Sequence, residues 1–128
     1  MIQQKYTKEL IKRFQNPKFV KNLINPDGVG EIGNVACGDI MHLEIKIKDN
    51  KILNIGFKTF GCGAAIASSD VVCELAKGKT IKEAKKITKA DIVKKLGGMP
   101  PIKVHCSVLG IEALKKAIEN YEEKQIGK

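Results

Sequence analysis

Two runs of alternating apolar and polar residues in the middle of the chain constrain the fold more than any other feature. Apolar side chains occupy every second position from Met41 to Ile47 and again from Leu53 to Phe57. This period of two is typical of strands with one buried face. Asp49 and Asn50, between the runs, have the chemistry of a tight turn. We predict an antiparallel hairpin, with a third strand near residues 31–36.

The rest of the chain has helical signals. A first helix is predicted over residues 7–14, and others over residues 64–77, from the capping boxes at Thr80 and Thr88, and from near Cys106 to about Lys124. With 128 residues, the chain has the length of one domain. We predict the α+β class, as a single domain over residues 1–128 in which helices pack on a small antiparallel three-stranded sheet. About 15 N-terminal and about 5 C-terminal residues are expected to be flexible.

The composition argues against a nucleic-acid-binding role. The net charge is +9, but Arg13 is the only arginine among 23 basic residues, and the chain has no Trp. Arginine is the preferred residue for bidentate contacts to bases and phosphates. We interpret the lysines as a solvated surface, with docking of an acidic protein as the alternative. On the later helices these lysines are Lys82, Lys85, Lys86, Lys89, Lys94 and Lys95.

The four cysteines, in a chain expected to be cytoplasmic, indicate metal or redox chemistry. The N-terminal segment has no apolar signal core and the chain has no apolar run of membrane-spanning length, so a cytoplasmic location is expected. A disulfide framework is therefore not expected for the four cysteines. The sequence contains no Cys-x-x-Cys pair, which excludes the patterns of zinc ribbons and ferredoxins.

Five potential metal ligands stand at predicted junctions between elements. Cys37 and Asp39 follow a glycine-rich stretch, Cys62 lies between two glycines after a strand, and His105 and Cys106 begin a helix. Thiolate, imidazole and carboxylate groups at element ends could converge on one metal or cluster. The structural alternative is that the cysteines are small buried hydrophobic residues with no ligand role.

Two other residues with metal-binding side chains are interpreted as structural. Cys73 lies eleven positions after Cys62 on a predicted helix, about 15 Å beyond its start, and is predicted to belong to the core. His42 alternates onto the polar face of its strand with Glu44 and Lys46, and is predicted to be solvated.

Three motifs together resemble one family. The segments Ala36–Met41, Phe57–Ser69 and Met99–Ser107 are similar, in order and spacing, to the three cysteine motifs of IscU/NifU-type iron–sulfur cluster assembly scaffolds. The likeness extends from about residue 16 to residue 123. It implies a domain that assembles a cluster transiently, from iron and sulfur that a cysteine desulfurase supplies, and passes it to apo-proteins. The family role is that of a carrier rather than an enzyme.

The resemblance also implies roles for individual residues. Cys37, Cys62 and Cys106 correspond to the cluster cysteines, and Asp39 to an aspartate that makes the cluster labile or ligates it. His105 is a second candidate for the fourth ligand. Cys106 is a candidate acceptor of persulfide sulfur, since a helix N-terminus lowers a thiol pKa. The implied occupant is a 2Fe–2S or 4Fe–4S cluster, with zinc expected as an alternative occupant, and the expected state is a monomer or a cluster-bridged dimer.

A proline-containing segment is a candidate partner site. In some lineages of the family a DnaK-type chaperone binds a Leu-Pro-Pro-Val-Lys segment, and the corresponding residues here are Met99, Pro100, Pro101, Ile102 and Lys103. The same segment also has a structural role, because it places His105 and Cys106.

The same residues admit three rival functions. A zinc hydrolase would use the cysteines around a metal-bound water, but the complete His-x-Glu and Pro-Cys-x-x-Cys signature of Cys-rich deaminases is absent, since the chain has no Cys-x-x-Cys pair. A metal-stabilised nucleic-acid module is opposed by the scarcity of arginine and aromatic residues. The third rival is an interaction domain that keeps the fold but no longer binds metal, and the intact set of five potential ligands argues against it.

Overall fold

The structure is a computed structural model that describes residues 7–34, 39–60, 63–98 and 105–126. The elements in chain order are α1 (Lys8–Gln15), β1 (Gly28–Asn34), β2 (Asp39–Lys48), β3 (Lys51–Phe60), α2 (Gly63–Ala76), α3 (Ile81–Ala84), α4 (Lys89–Lys95) and α5 (His105–Ile126). None of the helices in these ranges is long and apolar enough to cross a membrane.

The sheet has the order β1-β2-β3 and both pairings are antiparallel, which confirms the predicted three-stranded sheet. Met41, Leu43 and Ile45 on the central strand β2 are fully buried, as their alternation predicts. Strand β1 begins three residues before the predicted range. It approaches α5 so closely that a Cβ atom on Gly30 would lie 2.2 Å from the carbonyl oxygen of Ala113.

The hairpin turn is as predicted, but one residue of β3 faces the other way. Asp49 and Asn50 both have positive φ, 54° and 62°, as hairpin turns require. The register then shifts between Lys46 and Ile47, because Ile47 pairs with Ile52 while Lys46 pairs with Asn54. This bulge leaves Leu53 outside the paired series. Leu53 is 55% exposed and Ile52 is buried instead, so the predicted inward position of Leu53 is wrong.

Helices α2 and α5 pack on the inner face of the sheet, and α1 packs on α2. Both predicted capping boxes are present, at Thr80 and Thr88. Residues 8–15 form α1 and bury Leu10 fully, and α5 continues to Ile126. The flexibility expected of about 15 N-terminal and about 5 C-terminal residues stays a prediction.

A segment that the sequence did not reveal crosses the outer face of the sheet. At the β3 edge, the backbone N–H of Phe57 donates to the carbonyl of Phe19 (2.9 Å). The backbone N–H of Leu23 donates to the Glu44 carboxylate of β2 (2.8 Å). The side chain of Asp27 then accepts from the N–H of Ile47 (2.7 Å). Residues 19–27, the crossing segment, are thus held to the sheet along its width.

A buried carboxylate anchors α1 and the start of the crossing segment to α2. Asp70 of α2 is fully buried and pairs with the guanidinium of Arg13 (3.0 Å). Its other oxygen accepts hydrogen bonds from the backbone N–H groups of Lys18 (2.7 Å) and Phe19 (3.0 Å). Arg13 also pairs with Glu74 (2.9 Å). Although burial works against its charge, the carboxylates of Glu9, Glu74 and Asp70 raise the pKa of Arg13, so it stays cationic.

Candidate metal centre

The strand register brings three strand ends together at one end of the sheet. Asn34, the last residue of β1, pairs with Asp39, the first residue of β2. The next residue of β2, Ile40, pairs with Phe60, the last residue of β3. The chain therefore leaves β1, enters β2 and leaves β3 at the same end, which we call the ligand end.

Helix α5 begins at this same end. A Cβ on Gly28 would meet the carbonyl of Ala117 and one on Gly30 that of Ala113, so α5 runs antiparallel to β1. From Gly30 to Asn34 the strand advances about 13 Å, and from Ala113 back to His105 the helix covers about 12 Å. The first turn of α5 is therefore level with the start of β2.

Helix α2 runs in the same direction as α5. It begins three residues after β3 ends, and just past its other end the N–H of Gly78 donates to the carbonyl of Ile52, near the start of β3 (2.8 Å). Both helices consequently direct their N-termini, where the helix dipole is positive, toward the ligand end. Neither has an acidic residue in its first turn. This arrangement favours anionic groups such as thiolates.

The predicted site residues fall partly inside the described ranges. The backbone of Asp39 begins β2, and His105 and Cys106 are the first two residues of α5, one residue earlier than the predicted helix start. Cys37 and Cys62 lie outside the described residues, as does the segment from Met99 to Lys103. No group of three or more His, Cys, Asp or Glu side chains that could hold a metal occurs among the described residues. The ligand roles stay predictions.

The structural interpretation of Cys73 is confirmed. Its side chain is fully buried in the core, and burial, assisted by the charge of Asp70, raises the pKa of its thiol well above the ordinary value. It shares a buried helix face with Ala65, Ser69, Val72 and Ala76. A neutral thiol in this position is a packing residue.

His42 lies on the polar face as predicted, but it is held rather than freely solvated. Its side chain is 29% exposed, and its two ring nitrogens lie 3.1 Å from Glu31 and 2.9 Å from Glu44. Burial works to lower the pKa of His42, but the two carboxylates outweigh it and raise that pKa. Alternation alone indicates only the face of the sheet, and the carboxylate partners depend on the β1–β2 register.

An apolar cavity of about 370 Å³ adjoins the ligand end. Its lining includes Thr59 near the end of β3 and Ile66 near the start of α2, together with Phe14 and Val20. Val20 is also one of four large hydrophobic side chains that the described part of the chain exposes.

Comparison with known proteins assigns the chain to a family. Residues 5–128 match the family of NifU-like N-terminal domains, and the chain belongs to it. The chain is 50% identical over 119 residues to the iron–sulfur cluster assembly scaffold protein IscU 1 of Archaeoglobus fulgidus, covering 93% of this chain and 78% of that protein.

One further relative supports the assignment, and one solved structure shows the same fold. The iron–sulfur cluster assembly enzyme IscU of Drosophila melanogaster is 46% identical over 124 residues, which cover 94% of this chain and 80% of that protein. The crystal structure of a nitrogen-fixing NifU-like protein (N-terminal) from Brucella abortus has the same fold, with a TM-score of 0.73 at 20% identity. That match covers 91% of this chain and 94% of the other. The family resemblance of the motifs and the fold class predicted from the strand and helix patterns are thereby confirmed.

Proposed function

We propose that this protein is a scaffold on which an iron–sulfur cluster is assembled from iron and desulfurase-derived sulfur and then transferred to apo-proteins. Family membership and relatives named for cluster assembly support this role. The observation that carries it to this chain is the ligand end, where three strand ends and the N-termini of α2 and α5 meet. The cluster is the cargo of this site, so its release matters as much as its binding.

The proposed ligands are Cys37, Cys62 and Cys106, with Asp39 or His105 as the fourth. Asp39 is the first residue of β2 and Cys106 the second residue of α5, and the starts of these two elements are level with each other. In the sequence, Cys37 and Cys62 adjoin described residues of the same end. Two helix N-termini at this end would stabilise thiolates and the negative charge of a thiolate-bound cluster.

A three-cysteine site with one weaker ligand suits a temporary occupant. Four thiolates give a durable ferredoxin-type site, whereas a carboxylate is a hard ligand on a thiophilic metal. We assign Asp39 as the labile ligand, which an acceptor protein displaces from the cluster first. Zinc can fill the same tetrahedral ligand set, so we expect purified protein to take up zinc when iron and sulfur are absent.

The lifetime of the cluster tests whether Asp39 is the labile ligand. Asp39→Ala should retain its cluster severalfold longer than the wild type under fixed acceptor and oxygen conditions, as judged from the decay of the visible absorption. Glu123→Ala serves as the control, because Glu123 is exposed near the far end of α5. Equal lifetimes in Asp39→Ala and the wild type would refute the role of Asp39.

Sulfur delivery is proposed to begin at Cys106. Its place as the second residue of α5 supports a lowered thiol pKa and a reactive thiolate. A desulfurase docked at the ligand end would also contact the apolar cavity beside it. Mass spectrometry of peptides after treatment with desulfurase and cysteine should find an added sulfur on Cys106, and an adduct on Cys37 or Cys62 alone would overturn this assignment.

The proposal has three further parts. A DnaK-type chaperone binds the segment from Met99 to Lys103, the cluster passes to ferredoxin-type acceptors, and the protein acts in the cytoplasm. We propose a carrier rather than an enzyme, although relatives are named both scaffold and enzyme. Zinc-dependent hydrolysis by iron-free protein is the result that would favour an enzyme.

A further inference from the structure

A lysine-rimmed cleft lies on the side of the molecule where α2 ends and α3 and α4 pack beside it. Its volume is about 580 Å³. Leu75 and Ile87 contribute half-buried apolar surface to its lining. Its four basic residues are Lys79, Lys86, Lys94 and Lys95, and its two acidic residues are Glu83 and Asp91.

The two carboxylates of the cleft are engaged by helix ends. One oxygen of Glu83 accepts hydrogen bonds from the backbone N–H and the hydroxyl of Thr80 (3.0 and 3.1 Å). An oxygen of Asp91 accepts one from the backbone N–H of Thr88 (3.0 Å). Neither carboxylate forms a salt bridge with a lysine of the described part of the cleft, and four lysines against two carboxylates leave its lining with a net positive charge.

Most of the basic groups of the cleft have no acidic partner. Lys95 pairs with Glu74 (3.3 Å). Within the described ranges, no salt bridge involves Lys79, Lys86 or Lys94. Among the described residues, the cleft therefore presents three ammonium groups that form no salt bridge, beside apolar surface.

We propose that this cleft is a docking site for an acidic amphipathic segment of a partner protein. Aliphatic side chains of that segment would pack against Leu75 and Ile87, while carboxylates one helical turn away would pair with the lysines. A helical peptide presents both kinds of side chain on one face. A nucleic acid fits less well, because the cleft offers no arginine or aromatic side chain and places Glu83 and Asp91 beside any phosphate.

The cleft is remote from the ligand end. Leu75 is twelve positions after Gly63 along α2, which is about 18 Å of helix. A partner bound in the cleft would leave the ligand end uncovered. The inference rests on the cleft alone and does not depend on cluster assembly.

The test uses full-length protein and a synthetic helical peptide with Leu at positions i and i+4, flanked by Glu and Asp. Binding is followed by chemical-shift changes of ¹⁵N-labelled backbone amides at about 50 mM salt. The test variant is Lys86→Glu with Lys94→Glu, and the charge-matched control is Lys48→Glu with Lys115→Glu. All four lysines are exposed, and the control pair lies outside the cleft. Circular dichroism verifies that both variants fold.

The proposal expects saturable shifts confined to amides around the cleft, and a loss of affinity of about tenfold or more in the cleft variant. The control variant should lose clearly less. A second peptide with Ala replacing Leu should bind more weakly to wild-type protein, because it cannot fill the apolar surface. Binding should also weaken as salt is raised to about 500 mM.

Three results would overturn the proposal. The first is an absence of saturable shifts up to about millimolar peptide, and the second is equal loss of affinity in the cleft and control variants. The third is tighter, cleft-dependent binding of a short DNA duplex or of anionic vesicles than of the peptide, which would make the cleft a site for another class of partner.

Discussion

Replacing Asp70 with alanine tests the link between the N-terminal part of the chain and α2. The carboxylate is fully buried and has three partners, Arg13 and the backbone N–H groups of Lys18 and Phe19. Asp70→Ala removes all three interactions at once. It leaves the guanidinium with Glu9 and Glu74 only.

The expected cost follows from these contacts. Removing one partner of a buried ion pair costs about 3–5 kcal/mol when the other charge is left uncompensated. Here two acidic partners remain, which lowers this contribution, but two backbone donors lose an acceptor at about 1 kcal/mol or more each. We expect a loss of about 3 kcal/mol. This is a large fraction of the roughly 5–15 kcal/mol that stabilises a typical domain.

Urea unfolding followed by far-ultraviolet circular dichroism measures this loss. Glu9→Ala is the control, because Glu9 is 39% exposed, pairs with the same Arg13 and should cost about 0.5 kcal/mol. Asp70→Asn should fall between the two variants, since its amide oxygen still accepts a hydrogen bond. A loss below about 1 kcal/mol for Asp70→Ala, or one equal to that of Glu9→Ala, would refute the anchoring role.

Two further predictions concern the sheet. Gly30→Ala places a Cβ 2.2 Å from the Ala113 carbonyl oxygen, whereas the Cβ of Gly33→Ala meets nothing within 4 Å. Thermal unfolding should therefore show a stability loss of about 2 kcal/mol for Gly30→Ala and little change for Gly33→Ala. Equal effects would contradict the close packing of β1 on α5. Because carboxylates raise the pKa of His42 in the folded state, its stabilisation is present below the unfolded pKa of about 6.5 and disappears as the pH rises through the folded value. His42→Gln should therefore destabilise more at about pH 6 than at about pH 9, and the reverse order would show that the sign is wrong.

Local patterns in the sequence predict much of this fold. The hairpin between β2 and β3, the capping boxes at Thr80 and Thr88 and the buried position of Cys73 depend on neighbouring residues, and all are confirmed. The alternation does not predict the outward position of Leu53, because a bulge depends on how two strands pair, whereas the alternation of residue types continues through it.

Long-range contacts could not be predicted in this way. Arg13 and Asp70 are 57 positions apart, and nothing in their local sequence indicates that they pair. The path of the crossing segment is not predictable for the same reason. At the ligand end, the sequence predicts which residues begin β2 and α5 to within two positions, whereas the meeting of these ends follows only from the register and the helix packing. The roles of Cys37 and Cys62 depend on the motif resemblance.

Anaerobic cluster assembly tests the central claim most directly. Apo-protein is supplied with ferrous iron, a desulfurase and cysteine, and visible spectra are recorded before and after adding an apo-ferredoxin. We predict sulfur-to-iron charge-transfer bands that form and then move to the acceptor in the wild type and in Cys73→Ala. The bands should be lost in Cys37→Ala, Cys62→Ala and Cys106→Ala. A wild-type protein that never develops these bands and retains tightly bound zinc instead would contradict the scaffold function.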